Sequence, residues 1–268
     1  MTIDLNEALV LVTGAGSGIG RATSLAFAKR GSRVLAVDIL PESAEETAKL
    51  CAATGTLAQA YECDVADAEA VQALADKVHA DHGPLDVLVN NAGVGMTGRF
   101  LDTPLDEWRW IRSINLDGVW HGCASFAPPM VERGRGHIVN VSSGLAFTPR
   151  ATEPAYCTTK AAVLMLSQCQ RADWAAKGVG VTAVCPGVIN TPIIDSTRFL
   201  GAREAQRSRA KKVFNRGHKP ELVARAIVNA VERNRAVVAV GGESKAGWTI
   251  GRRLPQSIQQ FIASREMA

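Results

Sequence analysis

The stretch "AYCTTKAAVLML", residues 155 to 166, carries one of the chain's two tyrosines, Tyr156, four residues ahead of Lys160. On a helix that spacing sets both side chains on one face a turn apart, within reach of each other. A free phenol, pKa about 10, exchanges protons poorly at neutral pH, and bringing it to neutrality takes about 4 kcal/mol of differential stabilisation. An ammonium about 4 Å away supplies about 4 kcal/mol at an effective dielectric of ~20. Tyr156 and Lys160 are therefore either a catalytic acid with the cation that tunes it or an ordinary helical pair, and the rest of the chain decides between them.

A second chemistry-bearing stretch is "TGAGSGIGR", Thr13 to Arg21, which joins an apolar run to a helix-patterned one. Gly14, Gly18 and Gly20 permit a tight turn and close approach of backbone to a pyrophosphate. The free N–H groups of a helix starting at Ser17, Gly18, Ile19 and Gly20 favour an anion. Asp38 follows Gly20 by eighteen residues at the end of the next apolar run. A carboxylate there accepts from ribose hydroxyls and repels a 2′-phosphate. With serine at position 17 and isoleucine at 39, no cation stands ready for that phosphate, so the expected cofactor is NAD. Asp64 and Val65 are read as ending the third strand and bordering the adenine, with helix capping as the competing role for Asp64. In "NNAG", Asn90 to Gly93, amide side chains can satisfy neighbouring strand ends. Asn91 stands in that role, while Ala92 and Gly93 leave room for a flat cofactor.

The elements that must position these residues are legible as alternation. "ALVLVTG", "SRVLAVD", "TLAQAYECD", "LDVLVNNAG", "GHIVNVSS", "VGVTAVCPG" and "RAVVAVGG" are short apolar runs, and helical periodicity follows each of the first six. Repeated βαβ units predict an α/β fold: a Rossmann-type, doubly wound parallel sheet of about seven strands with helices on both faces, a three-layer αβα sandwich. Several strands are apolar without alternation, as a sheet covered on both sides requires. No linker or composition break divides the chain, so residues 1–268 are expected to form a single domain with an irregular lid at about 190–218 and a tail at 244–268. Ligands should sit beyond the carboxyl ends of the strands, where the strand order reverses.

"TGAGSGIG", Asp38, "NNAG", Asn115, "NVSS", "YCTTK" and "PGVINT", in this order and at these intervals, resemble the short-chain dehydrogenase/reductase family over roughly residues 8 to 240. The resemblance implies an oxidoreductase that passes hydride between NAD(H) and a secondary alcohol or ketone. It implies a serine from "VNVSSG", where Ser142 and Ser143 both stand; Ser143, thirteen residues before Tyr156, has the family interval. By the same resemblance Ser143 holds the substrate oxygen and Tyr156 exchanges its proton. Lys160 tunes Tyr156 and holds the nicotinamide ribose, and Asn115 supports a water relay. Pro186 and Gly187 end the sixth strand there, with the Ile189 backbone and Thr191 side chain holding the carboxamide. Readings kept beside this one are a non-catalytic dinucleotide-binding sensor, an NADP-dependent 3-oxoacyl-type reductase, and an epimerase or dehydratase. The last is disfavoured because its usual G-x-x-G-x-x-G turn and larger substrate domain are missing.

Met96, Phe100, Leu145, Phe147, Ile193, Ile194 and Phe199 fall in the segments expected to wall the substrate cleft, which favours a hydrophobic alcohol or ketone. The lid also carries Arg198, Arg203, Arg207, Arg209, Lys211, Lys212, Arg216 and Lys219 against the single acid Glu204. That run reads either as a site for an anionic carrier such as acyl-CoA or a charged lipid, or as a solvated helix face. Ala155, Ala161, Ala162, Val163, Leu164, Met165 and Leu166 make the helix of 154–177 apolar nearly all round, which predicts burial against a second subunit. Family resemblance implies a homodimer or homotetramer. Leu254, Ile258, Phe261 and Ile262 lie at helical spacing in the tail and are expected to pack within the molecule or on a subunit.

A formal charge of +4 across 268 residues gives no reason to expect a nucleic-acid partner. No uninterrupted apolar run approaches ~18 residues, so integral membrane association is not expected. The six cysteines lack C-x-x-C or histidine partners at metal-ligand spacing, so no metal is expected and the thiols are read as buried in a reducing cytoplasm. Cys157, beside Tyr156, is the one weighed as a reactive thiol. The first residues show neither a basic leader nor a long apolar run, so no signal peptide is expected.

Overall fold

The computed structural model describes residues 3–264, with the side chains of 202–204 and 252 outside that description. The lid residues Arg203 and Glu204 and the last four positions of the expected tail therefore lie outside the described residues. The strands are β1 (Leu9–Thr13), β2 (Arg33–Asp38), β3 (Ala58–Glu62), β4 (Val87–Asn90), β5 (Met96–Thr97), β6 (Gly136–Val141), β7 (Val179–Pro186), β8 (Arg198–Phe199) and β9 (Val237–Val240). The helices are α1 (Gly18–Ala28), α2 (Pro41–Ala52), α3 (Ala68–His82), α4 (Leu105–Arg112), α5 (Gly118–Glu132), α6 (Pro154–Trp174), α7 (Ile193–Ser196), α8 (Arg207–Asn215), α9 (Pro220–Glu232), α10 (Gly242–Thr249) and α11 (Gln256–Ser264). Among the described residues seven strands form one sheet in the order β3-β2-β1-β4-β6-β7-β9, every pair parallel. The order runs outward from β1 through β2 on one side and from β4 on the other, so the chain reverses direction across the sheet between β1 and β4. That is the expected fold, and it opens a crevice at the β1 and β4 carboxyl ends.

Side-chain alternation explains the two apolar layers. Val10, Val12, Val34 and Ala36 face a core closed by Phe27 of α1, Cys51 of α2 and Ile227 of α9. Their neighbours Leu9, Leu11, Leu35 and Val37 face the opposite core, closed by Leu74 of α3, Phe126 of α5 and Val163 of α6. Successive residues of a strand point to opposite faces, so a sheet covered on both sides must be apolar at every position. All five β1 residues are accordingly buried.

Three features depart from the sequence reading. β3 ends at Glu62, so Asp64 and Val65 lie on the connection beyond it, and Asp67 caps α3 by accepting from the N–H groups of Glu69 and Ala70. Between α4 and α5 the backbone forms a π-helical turn at Ser113–Asp117, which turns Asn115 into the interior. The lid contains a short parallel ribbon of β5 with β8, Met96↔Arg198 and Thr97↔Phe199, two pairings too brief to leave a period in the sequence.

Polar residues sit inside the second core at the β4 and β6 ends. Asn90 Nδ2 donates to Asn140 Oδ1 (2.9 Å), while Asn140 Nδ2 donates to Ser167 Oγ (3.0 Å) and Gln170 Oε1 (3.1 Å). This chain fixes α6 against the two strands whose ends bear the site. Replacing Asn140 by leucine leaves the buried Asn90 amide without its acceptor, at a cost of about 1–3 kcal/mol. Asn140→Leu is expected to lower the urea midpoint accordingly; an unchanged midpoint would show that the network does not brace α6.

Candidate active site

The turn after β1 approaches the sheet as closely as its glycines allow. Gly14 has φ +62° and Gly18 φ +51°, a region that favours glycine, and a Cβ on Gly14 would stand 2.8 Å from Ala92 Cα. Ser17 precedes α1 in extended conformation and makes no side-chain capping bond, so the first N–H groups of the helix point outward without a protein acceptor. This is an anion site by construction. Gly20 does not line the cleft; a Cβ there would press on Gly14 and Asn91, so its role is to let α1 pack under the turn, not to touch a ligand.

Asn91 ties β4 to that turn. Its Nδ2 donates to the carbonyls of Thr13 (2.9 Å) and Gly14 (3.2 Å), while Thr13 Oγ1 accepts from the N–H groups of Asn91 (3.0 Å) and Ala92 (3.1 Å). Asp38, at the end of β2, accepts from Gly16 N (2.8 Å) and Leu40 N (3.1 Å), which aims its carboxylate at the same turn. Gly93 continues the passage: a Cβ there would lie 3.1 Å from Asn115 Oδ1 and 3.2 Å from Lys160 Nζ.

These residues line one cleft of about 950 Å³ along the strand ends, together with Ile19, Asp64, Val65, Ser143, Tyr156, Pro186, Gly187, Ile189 and Thr191. The loop after β7 closes its upper side, since a Cβ on Gly18 would lie 3.0 Å from Thr191 Cγ2. Asn115 stands behind the wall, fully buried, with Oδ1 accepting from Val94 N (2.8 Å) and Nδ2 donating to Val94 O (2.9 Å). The outward N–H groups of α1, the glycine passage and the carboxylate of Asp38 fit a nicotinamide dinucleotide laid across β1 and β4.

The structure separates the two serines. Ser142 Oγ donates to Lys160 O (2.6 Å) and is spent on the α6 backbone. Ser143 Oγ accepts from Leu145 N (3.2 Å), and its hydroxyl beside Tyr156 lowers the phenol's pKa against a larger effect of burial that pushes it up to about 12. Lys160 Nζ donates to Val141 O (3.1 Å) and lies 5.9 Å from the Tyr156 ring centroid; burial brings its pKa down to about 8. The expected downward tuning of Tyr156 by Lys160 is thus not what the protein groups produce. The surroundings of both side chains disfavour the charged form of each. Cys157 is buried and pushed up to about 11, so it is a packing thiol and not a nucleophile.

On the substrate side Met96, Leu145, Ile193, Ile194 and Phe199 line the cleft as expected. Phe100 and Phe147 do not: Phe100 is 77% exposed, and Phe147 stacks on Trp248 of α10 at 4.9 Å. Sequence reasoning did not single out Trp110, Arg150, Val213 and Phe214, which also line the cleft, while Arg209 of the basic run does reach it. It also missed Glu243, which accepts from Val188 N (2.7 Å) and pairs with His218 at 3.4 Å, steadying the loop after β7. The glycine pair Gly241–Gly242 was its only signal. Several lid cations are committed internally: Arg198 pairs with Glu107 and stacks on Trp110, Arg207 donates to Thr197 O, and Lys211 pairs with Asp195.

Comparison with known proteins agrees with this geometry. The family model for short chain dehydrogenase matches residues 8–199. A probable oxidoreductase, EphD, of Mycobacterium tuberculosis is 46% identical over 267 residues, covering 97% of this chain but 45% of that protein. The chain thus spans less than half the length of that relative. A short chain dehydrogenase/reductase from Burkholderia phymatum, solved in complex with NAD, superposes with a TM-score of 0.89 at 25% identity over 99% of each chain. A metagenomic short-chain oxidoreductase solved with NADP gives 0.73 at 27% identity over 88% of this chain and 96% of the other. With the motifs, the sheet order and the family match in agreement, this chain belongs to the short-chain dehydrogenase/reductase family of oxidoreductases.

Proposed function

We propose that this protein oxidises a hydrophobic secondary alcohol, or reduces the matching ketone, with NAD(H). The observation that carries the reading is that Ser143, Tyr156 and buried Lys160 line the same cleft whose other end is bounded by Asp38. When bound, a nicotinamide dinucleotide supplies the hydride donor or acceptor and, in its oxidised form, a positive charge. Ser143 orients the substrate oxygen with its hydroxyl. Tyr156, protonated at neutral pH by virtue of its burial, donates its phenolic proton to that oxygen in carbonyl reduction, and in alcohol oxidation the phenolate left by loss of that proton accepts the alcohol's proton. Lys160, held by Val141 O, presents its amine toward Gly93, where it can hold ribose hydroxyls. Asn115 fixes the Val94 backbone and, through it, the floor beneath the ring. A non-catalytic sensor would need no such proton path.

Asp38 supports NAD over NADP, since its carboxylate accepts from ribose hydroxyls and disfavours a phosphate there. The apolar lining of Met96, Leu145, Ile194 and Phe199 supports a hydrophobic substrate. Within this reading residues 1–268 act as one dinucleotide-binding domain with 190–218 as its substrate lid. Trp120 on α5 and Met165 on α6, 60% and 59% exposed, support pairing of copies into a homodimer or homotetramer through these helices. Among the described residues no helix is long and apolar enough to cross a membrane. Six free thiols support a cytoplasmic setting.

Tyr156→Phe removes only the proton donor. It is expected to lower kcat roughly a hundred- to ten-thousand-fold while leaving NAD affinity, measured by quenching of protein fluorescence, nearly unchanged; retained turnover would refute the mechanism. In steady-state kinetics the wild type is expected to favour NAD over NADP by roughly tenfold or more, and Asp38→Ala to narrow that gap because the repelling charge is gone. A wild-type preference for NADP would overturn the coenzyme assignment.

Lys160 yields a pH prediction. Its pKa falls from 10.5 to about 8 on folding, so between those values the unfolded chain binds more protons. Stability contributed by this group therefore rises as pH rises through that window, and is lowest below about 8, where the buried amine is charged. Lys160→Met is expected to remove this rise from urea-denaturation curves recorded at pH 8 and 10; parallel curves for the two proteins would show that the amine is not desolvated.

A further inference from the structure

Most charged side chains around the substrate end of the cleft already have partners. Arg150 pairs with Glu153 at 3.5 Å and Asp195 with Lys211 at 2.7 Å. Glu243 is engaged with His218 and the Val188 N–H, and Lys160 with Val141 O. Arg209 is the exception: it lines the cleft and, among the described residues, has no partner. It stands on α8, where Ala210, Val213 and Phe214 also line the cleft. Positions 209 and 213, and 210 and 214, are one turn apart, so α8 lays a short apolar stripe with a guanidinium at its amino-terminal end along one wall. The remaining cations of this helix are placed otherwise: Arg207 donates to Thr197 O and stacks on Phe199 at 4.7 Å, Lys211 is paired, and Lys212 is off the cleft.

Resting on the dehydrogenase reading above, we propose that the substrate is amphipathic: an apolar secondary alcohol or ketone bearing a carboxylate, which Arg209 receives at the lid. An apolar body satisfies Val213, Phe214, Ile193 and Phe199, and a carboxylate offers the guanidinium a planar, two-point acceptor. Charge balance selects the carboxylate among anions. One uncommitted guanidinium neutralises one negative charge, whereas a phosphate monoester near neutral pH brings close to two and a carrier nucleotide several more. Among the described residues Arg209 is the one lid cation that lines the cleft, which is too little charge for a general polyanion site.

The test is calorimetric titration of laurate, methyl laurate and dodecyl phosphate into the NAD-loaded full chain, in the wild type and in Arg209→Gln. Arg209 is exposed, so the variant is expected to fold, and its melting temperature checks that. Laurate should bind the wild type roughly tenfold more tightly than its methyl ester, and Arg209→Gln should erase that difference without altering affinity for the ester or for NAD. Equal binding of acid and ester, tighter binding of dodecyl phosphate, or failure of both laurate and its ester to bind would overturn the proposal. So would a loss of NAD affinity in Arg209→Gln, which would assign the guanidinium to the coenzyme. Turnover of neutral secondary alcohols, measured alongside, reports the dehydrogenase reading independently: its persistence after any of these results leaves that reading standing, and its absence counts against that reading alone.

Discussion

A half-buried phenol and a buried amine meet beside the same strand end, and the rest of the site is arranged around that constraint. Burial makes charge costly on both, raising Tyr156 and lowering Lys160. Two neutral groups would be a stable but idle arrangement. What keeps the pair poised is that Lys160 Nζ is fixed on Val141 O while Tyr156 stands with Ser143 on the wall of the same cleft. Ser142 completes the frame by clamping the carbonyl of Lys160 itself, so the helix turn that spaces the pair is bonded to the strand beside it.

The same economy of contacts appears at the dinucleotide end. Asn91 and Asp38 bond backbone groups of the glycine turn while Thr13 Oγ1 accepts from the Asn91 and Ala92 N–H groups, which ties that turn to β4 without occupying the outward N–H groups at the start of α1. Preorganisation of this sort lets a ligand be met by groups that need not move, and the reversal of strand order between β1 and β4 provides the space. The buried Asn90–Asn140–Ser167 chain links the two halves, since it joins the strand that carries "NNAG" to the helix that carries Tyr156 and Lys160.

The seven sheet strands were legible because most are short apolar runs ending in an unusual residue and the helices between them keep one apolar face, whereas their order in the sheet depends on long-range pairing and was not. Site residues at those ends were legible for the same reason. What the sequence hid is what depends on distant packing. The family interval pointed to Ser143, but that Ser142 is held by the Lys160 carbonyl is visible only in the packing. The desolvation of Lys160 depends on strands and loops closing around α6, so an estimate at a surface-like dielectric placed the Tyr156 pKa on the wrong side of its ordinary value. Phe100 and Phe147 fell in the right segments but turned to solvent and to Trp248, while Trp110 and Phe214 entered the cleft from helices whose pattern signals only amphipathicity.

The division between fixed sheet and adaptable lid also explains how one chain can keep its chemistry while changing what it acts on. Glu243, on the segment that follows β9, accepts from Val188 N and pairs with His218, and the His218 backbone in turn bonds to Val188 and Asn190. The carboxyl-terminal side of the lid is thereby anchored to the loop after β7, the loop that closes over the glycine turn. Its amino-terminal side is held by the β5–β8 ribbon and by Arg198 between Glu107 and Trp110. Next to these anchors α7 and α8 supply part of the apolar wall. Substitutions on their cleft-facing positions can thus alter the shape and charge presented to a substrate without disturbing either anchor or the strand ends that hold Ser143, Tyr156 and Lys160.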